Sequence, residues 1–436
     1  MTTLEKKNFI SLEEIHEIQV QKEQLRNFVN KFSFPRLAGT KAEKEAVNLT
    51  FETFKELGFK EKQILMRKFE FTDFYSTTLI KLIMSMNLIF NLILILFVFI
   101  HVLLSIIFTF FMIIIVILIV KGLKHPETPG FWGEYFGVNL EATNVITKIP
   151  ASLISESEAG NIIISAHIDS KSQSYTTFFR VFLYKLWLYG GIAMAFFYIL
   201  FLIVLFVNIP FDYRFTLYGS WISIPVVSIS NLLLMFLNTH NKSPGALDNA
   251  SGMAIVFELS KYFLQNPLDN FNIWFCQFSA EELGTMGSRI FVNDNSERFI
   301  KGRVFQINFD MVSCKNHKRN EIEYFKSYGT LFRKINSPLL SKYFETVAKE
   351  EKISFKGFNL STGAHTDTVP FHMKGWDAID ITTRSAARYT HTKNDTPEKV
   401  DPLILLETCL ITYGTIKMID KDYKKLCEDN ELFCEA

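Results

Sequence analysis

Apolar and polar positions along this chain follow three rhythms. Short apolar runs bounded by turn residues predict strands at Ile64–Phe71, Val145–Ile149, Ile162–Ala166, Phe271–Ser279, Val304–Phe309 and Ala378–Thr382. Runs with helical spacing predict helices between them. Ser11 and Glu14 form a capping-box pattern opening a helix that runs towards Phe32. A second such pattern, Thr40 and Glu43, opens a helix whose apolar positions include Val47, Phe51, Phe54 and Leu57, with Gly58 as its expected C-cap. Helices are also predicted over Asn249–Gln265, Pro338–Glu350 and Leu403–Met418. Strands alternating with helices in this way predict an α/β fold, a sheet covered on both faces.

The third rhythm is uninterrupted. From Leu82 to Val120 there are 39 residues without a single Asp, Glu, Lys or Arg. At about 1.5 Å per residue that is near twice the roughly 30 Å hydrocarbon core of a bilayer, so it predicts two helices with a turn at His101. Leu186–Val207 and Phe215–Leu237 predict a second pair around the polar turn NIPFDYR, its last helix kinked by Gly219 and Pro225. The expected organisation is one α/β domain in three pieces, residues 1–77, 122–181 and 239–436. Transmembrane hairpins at 78–121 and 182–238 interrupt it. Each hairpin returns the chain to the side it left. Lys81, Lys121, Lys124, Arg180, Lys185 and Lys242 flank the four spans on the domain's side, against Arg214 offset by Asp212 on the other. The positive-inside rule then puts the domain at the cytoplasmic face of a lipid bilayer.

Composition adds little to this picture and contradicts none of it. The net charge is +1, which gives no electrostatic reason to expect a nucleic-acid partner. The five cysteines (Cys276, Cys314, Cys409, Cys427, Cys434) are odd in number and show no CxxC spacing, which points to a reducing compartment and not to a disulfide framework. The opening MTTLEKKNFISLEE lacks the apolar stretch of a signal peptide. The acidic tail CEDNELFCEA is expected to be loose.

The chemistry collects where predicted strands end. Ile162–Ala166 runs into His167-Ile168-Asp169, Phe271–Ser279 into Glu281-Glu282, Val304–Phe309 into Asp310, and the loop after Ala378–Thr382 carries His391. Asp248 sits in a turn before the helix that starts near Asn249. An isolated HxD or EE pair is ordinary loop chemistry. Several of them at one edge of an α/β sheet, where ligand sites gather, form a mixed nitrogen and oxygen set suited to a pair of zinc ions.

The strings SAHIDSKSQS, SPGALDNASGMA, SAEELGTMGS, INFDMVS and YTHTKNDTPEKVD, in this order and approximate spacing, resemble the di-zinc aminopeptidases of the bacterial secreted type. Glutamate carboxypeptidase II and the glutaminyl cyclases are more distant members of the same group. PRLAGTKAEKEA resembles the family's N-terminal helix-loop-helix. The resemblance implies a mixed β-sheet sandwiched by helices and a zinc-dependent exopeptidase acting on peptides. It implies that Asp248 bridges two Zn2+ ions, that His167 and Asp310 complete one position, and that Glu282 and His391 complete the other. Asp169 would orient the His167 imidazole, and Glu281 would be the general base and acid. Two departures accompany it. The family's SDH-x-PF-like string reads HTDTVPF here, with Thr368 where the histidine falls, leaving His365 and His372 as pocket candidates. Thr390 occupies a position some relatives use to steady an oxyanion, so Tyr389 and Arg388 are the remaining substrate-binding candidates. The alternatives are a catalytically inactive membrane receptor or scaffold of the same fold, and a glutaminyl cyclase-like acyltransferase.

Overall fold

The computed structural model describes residues 12–122, 126–127, 135–207, 209–315, 321–328, 334–360 and 366–434; Ser11, Lys124 and His365 lie outside them. In chain order the elements are α1 (Leu12–Phe32), α2 (Lys41–Glu56), β1 (Ile64–Thr72), α3 (Thr78–Ile100), α4 (Val102–Gly122), β2 (Asn139–Ile149), β3 (Gly160–His167) and β4 (Ser172–Gln173). There follow α5 (Thr177–Val207), α6 (Tyr213–Met235), β5 (Thr239–His240), α7 (Ser251–Gln265), β6 (Phe271–Phe278), α8 (Met286–Asn295), β7 (Val304–Phe309) and β8 (Ile322–Tyr328). The chain closes with β9 (Lys334–Ile335), α9 (Pro338–Glu350), β10 (Phe355–Leu360), α10 (Val369–Met373), β11 (Asp377–Thr382), α11 (Pro402–Lys421) and α12 (Tyr423–Cys434).

Among the described residues the principal sheet runs β1-β2-β6-β3-β7-β11-β8-β10, with β9 on β8. Its centre is parallel (β6 with β3, β3 with β7, β7 with β11), and β1, β2 and β8 pair antiparallel to their inner neighbours. The mixed, helix-covered sheet is thus the expected one. Strand β3 explains why a continuous apolar run was the right signal: all eight residues are buried, Ile162 and Ile164 into one core and Ile163 into the other. The first core is closed by α1, α7, α9 and α11, with Phe32 and Phe54 against Phe257. The second core is closed by α8 and α10 through Phe291, Phe371 and Trp376.

The structure also corrects the sequence reading. Strands β8 and β10 and helix α8 were not expected. In β10 only Phe358 is buried, and neither this edge strand nor α8 has a clean apolar period. The tail is helical as far as Cys434, not loose. Thr40 caps α2 by accepting from Glu43 N, but the Glu43 carboxylate does not return to the cap. It turns into the domain instead and accepts from Ser279 Oγ (2.7 Å).

Among the described residues, five helices are long and apolar enough to cross a membrane: α3, α4, α5, α6 and α11. The first four bury only 6–39% of their apolar window within the protein, whereas α11 buries 56%. Helix α11 packs on α1, α7 and α9 with Ile404, Leu405, Ile411 and Ile416 in the core, so it reads as a core helix. The break between α3 and α4 falls at His101, whose backbone is extended. Asn91 Nδ2 donates to Ser228 Oγ (3.3 Å) and Asn231 Nδ2 to Asn87 Oδ1 (3.2 Å), tying α3 to α6. Strands β4 and β5 pair with each other, so the two ends of the second insertion are fastened together where they leave the domain. Helix α5 begins at Thr177, ahead of the predicted boundary at 182. The segment TFFRVF continues the helix outside the fully apolar run and carries Arg180.

Candidate metal centre

Each candidate ligand arrives on its own element at one edge of the sheet. His167 is the last residue of β3, Asp310 follows β7, and Asp248 lies in the irregular turn Ala246–Ala250 just before α7. Glu281 and Glu282 follow β6. His391, with φ +63°, follows the 3-10 turn after β11. Left-handed backbone at non-glycine residues costs of order 1–3 kcal/mol and gathers at functional sites. Here Ala280, Met311 and His391 adopt it, beside or within the cluster.

The geometry divides the residues into two sets that share Asp248. Asp248 Oδ1 lies 3.2 Å from His167 Nε2, and Oδ2 lies 3.1 Å from His391 Nε2. His167 Nε2 is also 3.5 Å from Asp310 Oδ1, and His391 Nε2 is 3.2 Å from Glu282 Oε2. His167, Asp248 and Asp310 form one triplet of potential ligand atoms, and Asp248, Glu282 and His391 the other, each within 4.8 Å. Glu281 belongs to neither; its Oε2 stands 4.0 Å from His167 Nε2.

Two observations test whether these residues fit metal ions. His167 Nε2 and Asp310 Oδ1 are buried and lack any hydrogen-bond partner, although such atoms are rarely left so. Carboxylates also outnumber the cations facing them. Burial alone would lower the His167 imidazole, but Asp169, Asp248 and Asp310 raise it well above the usual histidine range. Burial alone would raise the Asp248 carboxyl, but His167 and His391 hold it far below the usual carboxylate range. Burial and Asp248 push Glu282 up, yet His391 and Lys171 bring it to about 2. Burial, then Glu282, Asp310 and Asp367, push Glu281 well up in spite of His167. The same site thus holds one carboxyl deprotonated and its neighbour disposed to carry a proton. The residues fit two divalent cations.

The surrounding residues explain why the ligands point where they do. Asp169 behaves differently from the expectation. The His167 Nδ1 contact is to its backbone carbonyl (3.0 Å), with its carboxylate at 3.7 Å. That carboxylate instead accepts from the backbone N–H groups of Glu281 and Glu282 (3.1 Å each) and so holds the acidic pair itself. Asn144 Oδ1 accepts from Ser279 N (2.9 Å), and Asn144 Nδ2 donates to Gly287 O (2.8 Å). A Cβ at Gly287 would stand 2.4 Å from Ser279 O, so this turn admits only glycine there. Asp395, four residues after His391, accepts from Leu247 N (2.6 Å) and Asp248 N (3.2 Å). Arg36, fully buried, donates to the carbonyls of Ile168, Phe34, Pro244 and Gly245 and ties the loops of His167 and Asp248 together. Lys171 Nζ reaches Glu282 Oε2 (2.8 Å) and the Glu282 carbonyl (2.9 Å). Arg36, Asp395, Lys171 and Asn144 were not singled out from sequence. PRLAG and KND stood inside strings that drew notice, but nothing local reveals what they touch.

Arg388 is exposed, and Tyr389 packs on the main core with Lys399 Nζ 4.7 Å over its ring. His372 is on α10, where burial and Lys334 bring its imidazole down to about 4. Thr368, at the family's histidine position, donates to Asp380 Oδ2 (3.0 Å). Asp367 in that string is fully buried, and burial pushes its carboxyl up to about 7.

Glu43 links this site to stability. Burial lifts its carboxyl to about 7 from an ordinary value of 4.5, with Asp169 adding to the rise. The proton is therefore bound more tightly in the folded state. Its stabilising contribution is complete below about pH 4.5 and is lost as pH rises through 7. Glu43→Gln keeps the acceptor for Ser279 without the charge. Relative to wild type, it should gain on the order of 3 kcal/mol between pH 4.5 and 8, at 1.36 kcal/mol per pKa unit. Thermal unfolding at both pH values measures this, and parallel pH curves would contradict it.

The site is thus two overlapping triplets of potential metal ligands at one edge of a helix-covered mixed sheet. Residues 232–411 match the family model for Peptidase family M28. The aminopeptidase YwaD of Bacillus subtilis (strain 168) is 32% identical over 188 residues, 42% of this chain and 39% of that protein. The chain thus spans about two fifths of that relative's length. Among solved structures, BSAP, a zinc aminopeptidase from Bacillus subtilis, has a TM-score of 0.51 at 15% identity, covering 91% of this chain and 94% of that one. A glutaminyl cyclase from an Acidobacteriales bacterium has a TM-score of 0.51 at 14% identity, covering 97% and 99%. These two likenesses show the fold.

Proposed function

We propose that this protein is a membrane-embedded, di-zinc exopeptidase that removes residues from the amino terminus of peptides. The observation that carries the reading is the split carboxylate of Asp248, one oxygen facing each histidine. Asp248, His167 and Asp310 would hold one zinc ion, and Asp248, Glu282 and His391 the other. When bound, a pair of zinc ions polarises a carbonyl and makes water acidic enough to serve as a nucleophile near neutral pH. The chain's own residues do the rest. Glu281, outside both triplets and beside His167, takes the proton from the attacking water and hands it to the leaving amine. Asp169 keeps Glu281 in place through its backbone N–H. Burial keeps bulk water from the Glu281 carboxyl.

The four helices α3 to α6 supply the membrane reading, since apolar side chains such as Phe99, Phe110, Phe206 and Ile222 face outward from them. Lys81, Lys121, Arg180, Lys185 and Lys242 on the domain's side support a cytoplasmic domain. The full-length protein in detergent should hydrolyse aminoacyl-anilides in a zinc-dependent manner. Cyclisation of glutaminyl peptides without hydrolysis would favour the acyltransferase reading, and zinc binding without either reaction would favour an inactive receptor. Protection of a C-terminal tag inside sealed vesicles whose cytoplasmic side faces out would overturn the orientation.

A further inference from the structure

His391 is oriented by the membrane insertion itself. Its Nε2 faces Asp248 and Glu282, which leaves Nδ1 to carry the ring proton. Two acceptors stand 3.1 Å from that Nδ1: Thr177 Oγ1 and Gln173 Oε1. Thr177 is the first residue of α5, the 31-residue apolar helix that opens the second hairpin, and Gln173 ends β4, just before it. Both are themselves held. Arg180, one turn into α5, donates to Gln173 Oε1, and Thr390 Oγ1 donates to Thr177 Oγ1 (2.9 Å). Gln173 N also donates to the His391 carbonyl (2.9 Å). Gln173 is anchored in turn by its pairing with Thr239 in β5, where the same hairpin re-enters the domain. Hydrogen bonds therefore run from the start of the hairpin to the imidazole, and β4 pairs with β5 where the hairpin ends. Thr177 is buried, 8% exposed, so water does not compete for the contact.

We infer that Thr177 and Gln173 are positioning residues for His391, and that the seating of the second membrane hairpin sets the affinity of the metal position formed by Asp248, Glu282 and His391. The inference rests on the two-metal reading. Among the described residues the other position, of His167, Asp248 and Asp310, has no such tie: His167 Nδ1 is held by the carbonyl of Asp169, inside the domain. The two positions should therefore respond differently to changes at the foot of α5.

The test is a zinc titration of the metal-free, full-length protein in lipid nanodiscs. Loss of a partner that orients a metal-bound histidine weakens metal binding by roughly 10- to 100-fold. Thr177→Val combined with Gln173→Met should show that loss in one of two zinc equivalents and leave the other unchanged, and Thr177→Ser should bind as wild type does. Thr176→Val is the control, because the Thr176 hydroxyl accepts only from Phe179 N at the exposed start of the same helix. The unfolding temperature of the metal-free double variant should match wild type. Wild-type affinity for both equivalents in the double variant would overturn the inference. So would equal weakening of both with a lowered unfolding temperature, which is the mark of a merely structural role. A wild-type protein that takes up fewer than two equivalents would remove the two-metal reading beneath it.

Discussion

Glu281→Gln is expected to retain both zinc ions and to lose roughly 100- to 10,000-fold in kcat, the usual contribution of a positioned proton carrier. The substitution is nearly isosteric, and it removes a carboxylate that belongs to neither ligand triplet. Glu281 N–H continues to donate to Asp169 whatever the side chain, so the turn that presents Glu282 stays formed. KM should change little, because the lost interaction acts on a proton in flight and not on the bound peptide. Glu282→Gln, one residue along, should do the opposite and weaken one zinc equivalent, since it removes a charged oxygen from the triplet around His391. Zinc titration beside steady-state kinetics separates the two; equal metal loss in both variants would undo this division of labour.

Asp248→Ala carries the other large effect. It removes the only residue common to both triplets, so both zinc equivalents should be lost and hydrolysis with them. The thermodynamic signature is independent of turnover. A ligand that binds only the folded state stabilises it by about 2.7 kcal/mol at 100 times its Kd, so chelation should lower the unfolding temperature of wild type. In Asp248→Ala the chelator should have no effect. A variant whose stability still depends on zinc would show that Asp248 is not the shared ligand.

The sequence made the ligands readable for a physical reason. Parallel strands buried on both faces read as apolar runs, and a polar residue marks where each leaves the sheet. His167, Glu281 and Asp310 stand at such ends, and the structure brings them within a few ångströms. The hairpins were readable because uncharged stretches of that length have few other uses. What did not come through depends on contacts across long separations. Thr177 meets His391 across 214 positions, and Arg36 reaches Pro244 and Gly245 across more than 200. Glu43 matched a capping box, yet its carboxylate was drawn 236 positions away to Ser279. Asp169 meets the imidazole through its carbonyl, and its carboxylate also accepts from two backbone N–H groups more than 110 positions away. Edge strands such as β10 escaped because one exposed face and a glycine, Gly357, erase the apolar run.

Two metal ions sharing Asp248 make a direct demand on zinc stoichiometry. Calorimetric titration of zinc into the metal-free, full-length protein should saturate at two equivalents per chain in wild type and at none in Asp248→Ala. Saturation at one equivalent or none in wild type, or undiminished binding in Asp248→Ala, would contradict it.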